Sequence, residues 1–403
     1  MHNRSTNNIN QGRSAILKKK GLIHKMATKK KVKTYSSFLN NSIDFTLLIV
    51  LLILLALGLT MVLSASSPKS LSDYGTSYHF FIRQLIFALV GLGLMMIISK
   101  IDYRFYQKFY KISWIVSVIL LVLVLLIGKE VNESKRWIEI TSSLSFQPSE
   151  IVKFLMIVFY AGILTRNRDE LGNFWMGLVK HVCMIAPIIV LLLLEPHFSV
   201  SIVIIGTCCV MMIMAGCKFW QFAAAGGAIG VPAIVAMVMM ADYRLVRVTT
   251  FLDPWSDPKG AGWQVIQSLY AIGSGGLFGL GLGEGNQKYL YLSEPQNDFI
   301  FAILAEELGF VGCVFVIILF AILIWRGILI AMKAPDMFGS LMAIGIISLI
   351  AIQVIINIAV VTSSMPVTGM PLPFFSYGGT SLLILLCEVG VLLNISRAAN
   401  SGT

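Results

Sequence analysis

Charge is scarce in this chain. Asp, Glu, Lys and Arg make up 13% of its 403 residues, acids number only 20, and histidine contributes five. So small a charged share beside 57% hydrophobic residues excludes an ordinary soluble domain and points to an all-α polytopic membrane protein. Short strands of alternating polarity do not recur, which sets aside a transmembrane barrel. The six cysteines (Cys183, Cys208, Cys209, Cys217, Cys313 and Cys387) lie in apolar stretches without paired metal-ligand spacing. They read as reduced packing residues, not as a metal or disulfide framework. No Ser-His-Asp grouping and no ATP-binding loop is visible.

Acid is missing altogether from residues 1–43, which hold ten Lys or Arg. This segment carries almost all of the formal charge of +11 and leaves about +1 for the rest of the chain. Basicity confined to a tail argues against a nucleic-acid partner. It fits a disordered cytoplasmic segment, drawn to anionic membrane lipids and setting topology by the positive-inside rule. Met26 is a second candidate start within it. Phe45–Leu63 followed by Ser64-Ala65-Ser66 has the outline of a signal peptide, but the apolar run is too long and reads as an uncleaved first span.

Apolar runs of about 20 residues, enough to cross a bilayer, fall near 45–64, 81–99, 112–128, 150–165, 178–194, 198–216, 219–240, 299–325, 338–361 and 380–396. Ten spans place both termini in the cytoplasm. Lys and Arg concentrate in the loops that this arrangement puts inside, among them Lys100, Arg104, Arg166 and Lys333. The expected layout is a tail over 1–43, one membrane domain over 44–397 and a short tail over 398–403. The outer loop 241–298, between spans seven and eight, is too long for a simple connection.

Polar groups gather on the outer side. Arg136 lies in the second outer loop. Pro148 is placed to start a helix whose face carries Glu150 and, three residues on, Lys153. That pair reads either as a local ion pair easing a helix end into lipid or as part of a polar cavity. Glu195-Pro196 ends span five at a turn so tight that Glu195 is either a solvated cap or a rim acid. Arg244 and Arg247 open the long loop, suited either to a bidentate grip on pyrophosphate or to lipid headgroups. Asp298 stands where the loop enters span eight, and Glu306 and Glu307 lie inside that span. Carboxylates at such depth are costly unless they face partners or water, so they mark function by default. Asp298 and Glu306, eight residues and about 12 Å of helix apart, are expected at different depths of one cavity.

Two further segments draw notice. The run from Gly273 to Gly285 has the glycines of a nucleotide loop but not its strand–turn–helix setting, and reads as a packed or mobile loop. Residues 365–380 carry no charge and hold three prolines, as expected of a re-entrant element that shapes a cavity. Gln353 and Asn357 are expected to hydrogen-bond between helices. These residues alone fit either an enzyme acting on a lipid-linked substrate or a transporter driven by a gradient.

Four ordered motifs narrow this. Gln147-Pro148-Ser149-Glu150 with Lys153, Glu195-Pro196, Asp298-Phe299-Ile300-Phe301-Ala302 with Glu306-Glu307, and Leu372-Pro373-Phe374-Phe375-Ser376-Tyr377-Gly378-Gly379 resemble the SEDS family, the FtsW, RodA and SpoVE peptidoglycan glycosyltransferases. Asp44-Phe45 and Ser64-Ala65-Ser66-Ser67 look more like the FtsW/SpoVE branch. One departure stands out, since His197 follows Glu195-Pro196 where the family pattern carries an acid. The resemblance implies polymerisation of lipid II into a growing glycan strand outside the bacterial cytoplasmic membrane. It implies Asp298 as catalytic base, with Arg136 and Lys153 at the leaving pyrophosphate; Glu150, Glu195, Arg247 and Glu306 are the further substrate-binding candidates that the outer-side residues themselves suggest. It also implies a single-span penicillin-binding transpeptidase and other division or elongation proteins as partners. No cofactor is certain; a divalent cation, Mg or Mn, is a candidate whose ligands the sequence does not reveal. A lipid-linked precursor flippase or transporter, and a scaffold without chemistry, are the competing readings.

Overall fold

The computed structural model describes residues 43–400 apart from 132–133, 142–143, 196, 226, 228–241, 261, 290 and 293. The basic tail up to residue 42 with Met26, most of the span expected over 219–240, Pro196 and residues 401–403 therefore lie outside the described residues. The fold is all-α and polytopic. Nine helical stretches among the described residues are long and apolar enough to cross a membrane. Buried in hydrocarbon, such runs satisfy every backbone N–H and C=O only by staying helical.

Among the described residues, nine helices run in or between the spans of the first two thirds. They are α1 (Phe45–Tyr74), α2 (His79–Ile98), the short α3 (Arg104–Lys108), α4 (Tyr110–Ile127), α5 (Pro148–Arg166), α6 (Lys180–Leu194, entered through a π turn over Phe174–Val179), α7 (Phe198–Ala215), α8 (Phe219–Ala225) and α9 (Asp242–Leu252). Then come α10 (Trp263–Gly275), α11 (Ile300–Lys333), α12 (Met337–Val361) and α13 (Gly379–Asn400). Helix α1 outruns its expected end at residue 64 by ten residues. Asp44 caps its start by accepting the Leu47 N–H at 3.0 Å, and Gly75, at φ 70°, ends it by donating to Leu71 O.

Burial separates centre from rim. In α5, α12 and α13 72%, 72% and 78% of the apolar window is buried, against 22% in α2 and α4. Helix α12 packs on α5, α7, α11 and α13, and is the hub. Rim residues such as Ile82, Ile86 and Leu89 of α2 stay exposed, the apolar belt that lipid covers. At the end of the bundle away from the site, Arg326 pairs with Asp44 at 2.5 Å, and Asn394 bonds both Tyr103 N and Ser99 O at 2.9 Å.

Two local features were not expected. Residues 129–146 form an antiparallel meander of β1 (Lys129–Val131), β2 (Ser134–Thr141) and β3 (Leu144–Phe146), with Trp137 opposite Lys129 and Ile138 opposite Phe146. It buries Ile138 and carries Arg136 to the mouth of the bundle. Helix α11 is broken at Gly309 (φ 68°, ψ −169°). The glycine-rich run threads this break. Leu280 and Gly281 donate to the carbonyls of Glu306 and Glu307 at 3.0 Å, and Phe310 and Val311 donate back to Gly276 and Leu277. A Cβ on Gly309 would lie 2.3 Å from Gly279 N, so only glycine permits this approach. The run is thus a packed loop.

Candidate functional site

A cavity of about 410 Å³ opens between β2, α5, α7, α9, α12, α13 and the loop 362–378. Its wall brings together Asp298, Arg136, Glu150, Lys153 and Arg247, which are far apart in sequence. Pro148 at the first position of α5 starts that helix at the cavity, so Glu150 and Lys153 face it from the first turns. Lys153 Nζ lies 2.8 Å from Glu150 Oε1, and Ser381 Oγ donates to Glu150 Oε2 at 2.7 Å. Both side chains are nearly fully buried. The pair is local and also lines the cavity. An ammonium has three donors, so this pairing leaves two for a ligand.

The other cations reach in from separate elements. Arg136 Nε is 3.4 Å from the Glu195 backbone carbonyl, so it rests on the turn after α6. Arg247 Nη1 donates to Val367 O at 3.0 Å, which ties α9 to the loop 362–378. The Arg244 side chain lies outside the described residues. His197 pairs its ring nitrogen with the Gln147 side chain. Burial, helped by the Arg136 charge, pushes His197 down to about 3, so the ring is neutral at ordinary pH.

Asp298 ends the outer loop just before α11. Its carboxylate accepts no hydrogen bond among the described residues, whereas its backbone carbonyl takes one from Asn357 Nδ2 at 2.8 Å. Burial pushes Asp298 up from the usual carboxylate range to about 6; Arg247 and Arg136 pull it down, and Glu294 pushes it further up. A partly exposed carboxylate without donors keeps its basicity and sits across one cavity from two buried or half-buried cations. Such a set is suited to removing a proton from one group while an anion forms nearby.

The sequence matches the model of the cell cycle protein family that unites FtsW, RodA and SpoVE over residues 45–401. The chain belongs to the FtsW/RodA/SpoVE family. It is 47% identical over 356 residues to stage V sporulation protein E of Bacillus subtilis, covering 88% of this chain and 97% of that protein. To the probable peptidoglycan glycosyltransferase FtsW of Coxiella burnetii it is 41% identical over 360 residues, covering 88% and 96%. Among solved structures it resembles a chain of a peptidoglycan synthase complex described as coordinating polymerization and crosslinking. That match has TM-score 0.75 and 28% identity, and covers 89% and 98% of the two chains. The Thermus thermophilus rod shape determining protein RodA matches with TM-score 0.64 and 26% identity over 88% and 97%.

Set on this FtsW/RodA/SpoVE fold, two expected site residues fall outside the cavity. Glu306 does not share it with Asp298. It turns to the glycine-rich loop, where Oε1 accepts from Asn286 N at 2.8 Å and Gln287 N at 3.3 Å. Glu307 binds Lys288 Nζ at 2.8 Å and the Ser64 hydroxyl of α1 at 2.6 Å, in a fully buried cluster. The threading at Gly309 turns both acids towards the loop, which helix spacing alone does not reveal. Glu195 is buried behind Arg136, its Oε1 without a partner; burial pushes it up to about 8 against the pull of Arg136. Conversely, Glu388 of α13 lines the cavity and is buried, seven residues after Ser381 on the same helix face. An acid within the last apolar span was the signal for it.

Asn357 also differs from expectation. It bonds backbone carbonyls instead of another helix, because the loop 362–378 folds back beside α12. Among the described residues no group of three or more His, Cys, Asp or Glu side chains is arranged to hold a metal ion. The cavity acid nearest to the cations, Glu150, is already engaged by Lys153 and Ser381. These donors do not fit a resident divalent cation.

Proposed function

We propose that the protein is a peptidoglycan glycosyltransferase that polymerises lipid II into β-1,4-linked glycan at the outer face of the cytoplasmic membrane. The observation that carries this reading is the Asp298 carboxylate, pushed up to about 6 by burial and facing Arg136 and Lys153 across one cavity. Asp298 takes the proton of an acceptor sugar 4-hydroxyl as its oxygen attacks the anomeric carbon of the donor. The new C–O bond forms on the face opposite the leaving group. The bond to the undecaprenyl pyrophosphate breaks, and its electron pair stays on the pyrophosphate oxygen. Attack from the opposite face inverts an α-linked donor to a β product. Lys153 and Arg136 stabilise the negative charge that grows on the leaving oxygen, and Arg247 guards the mouth.

In this reading both termini are cytoplasmic, the tail 1–43 meets anionic lipids, and residues 241–298 lie outside. The relative solved within a synthase complex supports a single-span penicillin-binding transpeptidase as partner. Purified protein, alone and with that partner, is expected to extend lipid II into polymer on a gel. Translocation of lipid II across sealed vesicles without any polymer would instead make the protein a flippase.

A further inference from the structure

The uncharged loop 362–378 holds the site together through backbone atoms. Ser199 Oγ of α7 donates to Thr368 O, and Arg247 of α9 donates to Val367 O at 3.0 Å. Gln84 of α2 bonds Ser376 O and Gly378 N, both at 3.2 Å. Ser376 Oγ takes the Leu372 N–H at 2.7 Å and donates to Asn297 O at 2.6 Å, and Tyr377 N donates to Gln296 O at 2.8 Å. The residues that immediately precede Asp298 are therefore laid along this loop. At their meeting point stands Asn357 of α12, buried at 1% exposure. Its Nδ2 donates to Asp298 O at 2.8 Å and to Met370 O at 2.7 Å, while its Oδ1 has no partner.

This arrangement calls for two N–H donors on one side chain. Two carbonyl oxygens converge on one side chain, and only a group with two N–H donors satisfies both. An aspartate there would face two carbonyl oxygens with its own lone pairs, and a leucine would leave both unpaired in the interior. On the other side, Gly369 (φ 69°) faces the Asp298 carboxylate, and a Cβ added to it would lie 3.2 Å from Asp298 Oδ2. Asp298 is thus fixed from behind by Asn357, and in front the missing side chain of Gly369 leaves its carboxylate room.

We propose that Asn357 is a positioning residue for Asp298: by bridging the Asp298 and Met370 carbonyls it locks the base to the re-entrant loop and sets where its carboxylate points into the cavity. This rests on the reading of Asp298 as the base. Asn357 touches no substrate, so its loss acts on the chemical step. A displacement of about 1 Å at a reacting group lowers turnover on the order of 100-fold. Asn357→Leu and Asn357→Asp are expected to lose roughly 10- to 100-fold in kcat for lipid II polymerisation while KM stays within about twofold. Gly369→Ala gives the same split from the opposite side. Asn357→Gln, which keeps the two donors on a longer stem, retains more activity than Asn357→Leu.

The measurement is initial polymerisation rate against lipid II concentration, for variants that elute monodisperse in detergent. If Asn357→Leu does not fold, Asn357→Asp and Gly369→Ala decide. Wild-type kcat in folded Asn357→Leu, Asn357→Asp or Gly369→Ala overturns the inference, and so does a KM that rises as much as kcat falls. Full activity in Asp298→Ala would remove the underlying reading; loss there with normal Asn357 variants would remove this inference alone.

Discussion

The proposed base makes a definite statement about pH. Asp298 ordinarily titrates at 3.8 and is pushed up to about 6, chiefly by burial. A base accepts a proton only when ionised, so activity is lost as pH falls through about 6. With that value roughly one tenth of Asp298 is ionised at pH 5 and nine tenths at pH 7, a rise in kcat/KM of about tenfold. At 3.8 the same interval would change the rate by under about 10%. Arg247 holds Asp298 down, so Arg247→Gln moves this limb to higher pH. His197, neutral above about 3, adds nothing to the limb, and Glu195, near 8, titrates well above it. Glu195→Gln therefore leaves the limb in place. The assay is initial-rate lipid II polymerisation from pH 4.5 to 8.5, with recovery checked after return to neutral pH. A flat profile between pH 5 and 8, or a limb that Arg247→Gln does not move, would refute the reasoning.

Other outcomes follow from the same geometry. The folded value of Asp298 lies above its unfolded one, so its contribution to stability is present below about 4 and lost as pH rises through about 6. Asp298→Asn should accordingly melt a few degrees higher than wild type at pH 7.5, read by thermal denaturation in detergent. Breaking the buried Glu150–Lys153 pair by Lys153→Met or Glu150→Gln should cost about 3–5 kcal/mol, while the double variant regains most of the stability but not the polymerisation. Glu306→Ala should leave KM for lipid II unchanged, because the side chain binds the loop amides of Asn286 and Gln287 and not the cavity. Limited proteolysis should then cut the glycine-rich loop faster.

Much of this architecture was legible in the sequence. Nine of the ten expected spans match observed helices within a few residues at their starts, because hydrocarbon permits little besides a helix in a long apolar run. The apolar pattern ends span one near residue 64, since most of Ser66 to Tyr74 is polar, yet the helix continues until Gly75. Asp298, Glu150 and Lys153 are charges at the ends of apolar spans and Arg136 is a cation in an outer loop; the four share a cavity. Spacing could not show which way an acid points once its helix breaks. Gly309 interrupts α11, and the loop carbonyls and amides that fill the break claim Glu306 and Glu307. The meander that carries Arg136 is built from strands of three and eight residues, too short for a periodic signal. The partners of Asn357 are backbone carbonyls, which no side-chain pattern encodes.

The central claim is that one carboxylate performs the proton transfer of glycan polymerisation. Its most direct test compares wild type and Asp298→Ala, purified identically, shown folded by thermal melting, and supplied with lipid II with and without the single-span transpeptidase. Long glycan is expected from the wild type and a loss of at least about 100-fold in the variant, with lipid II still bound. Normal polymer from a folded Asp298→Ala protein would contradict it.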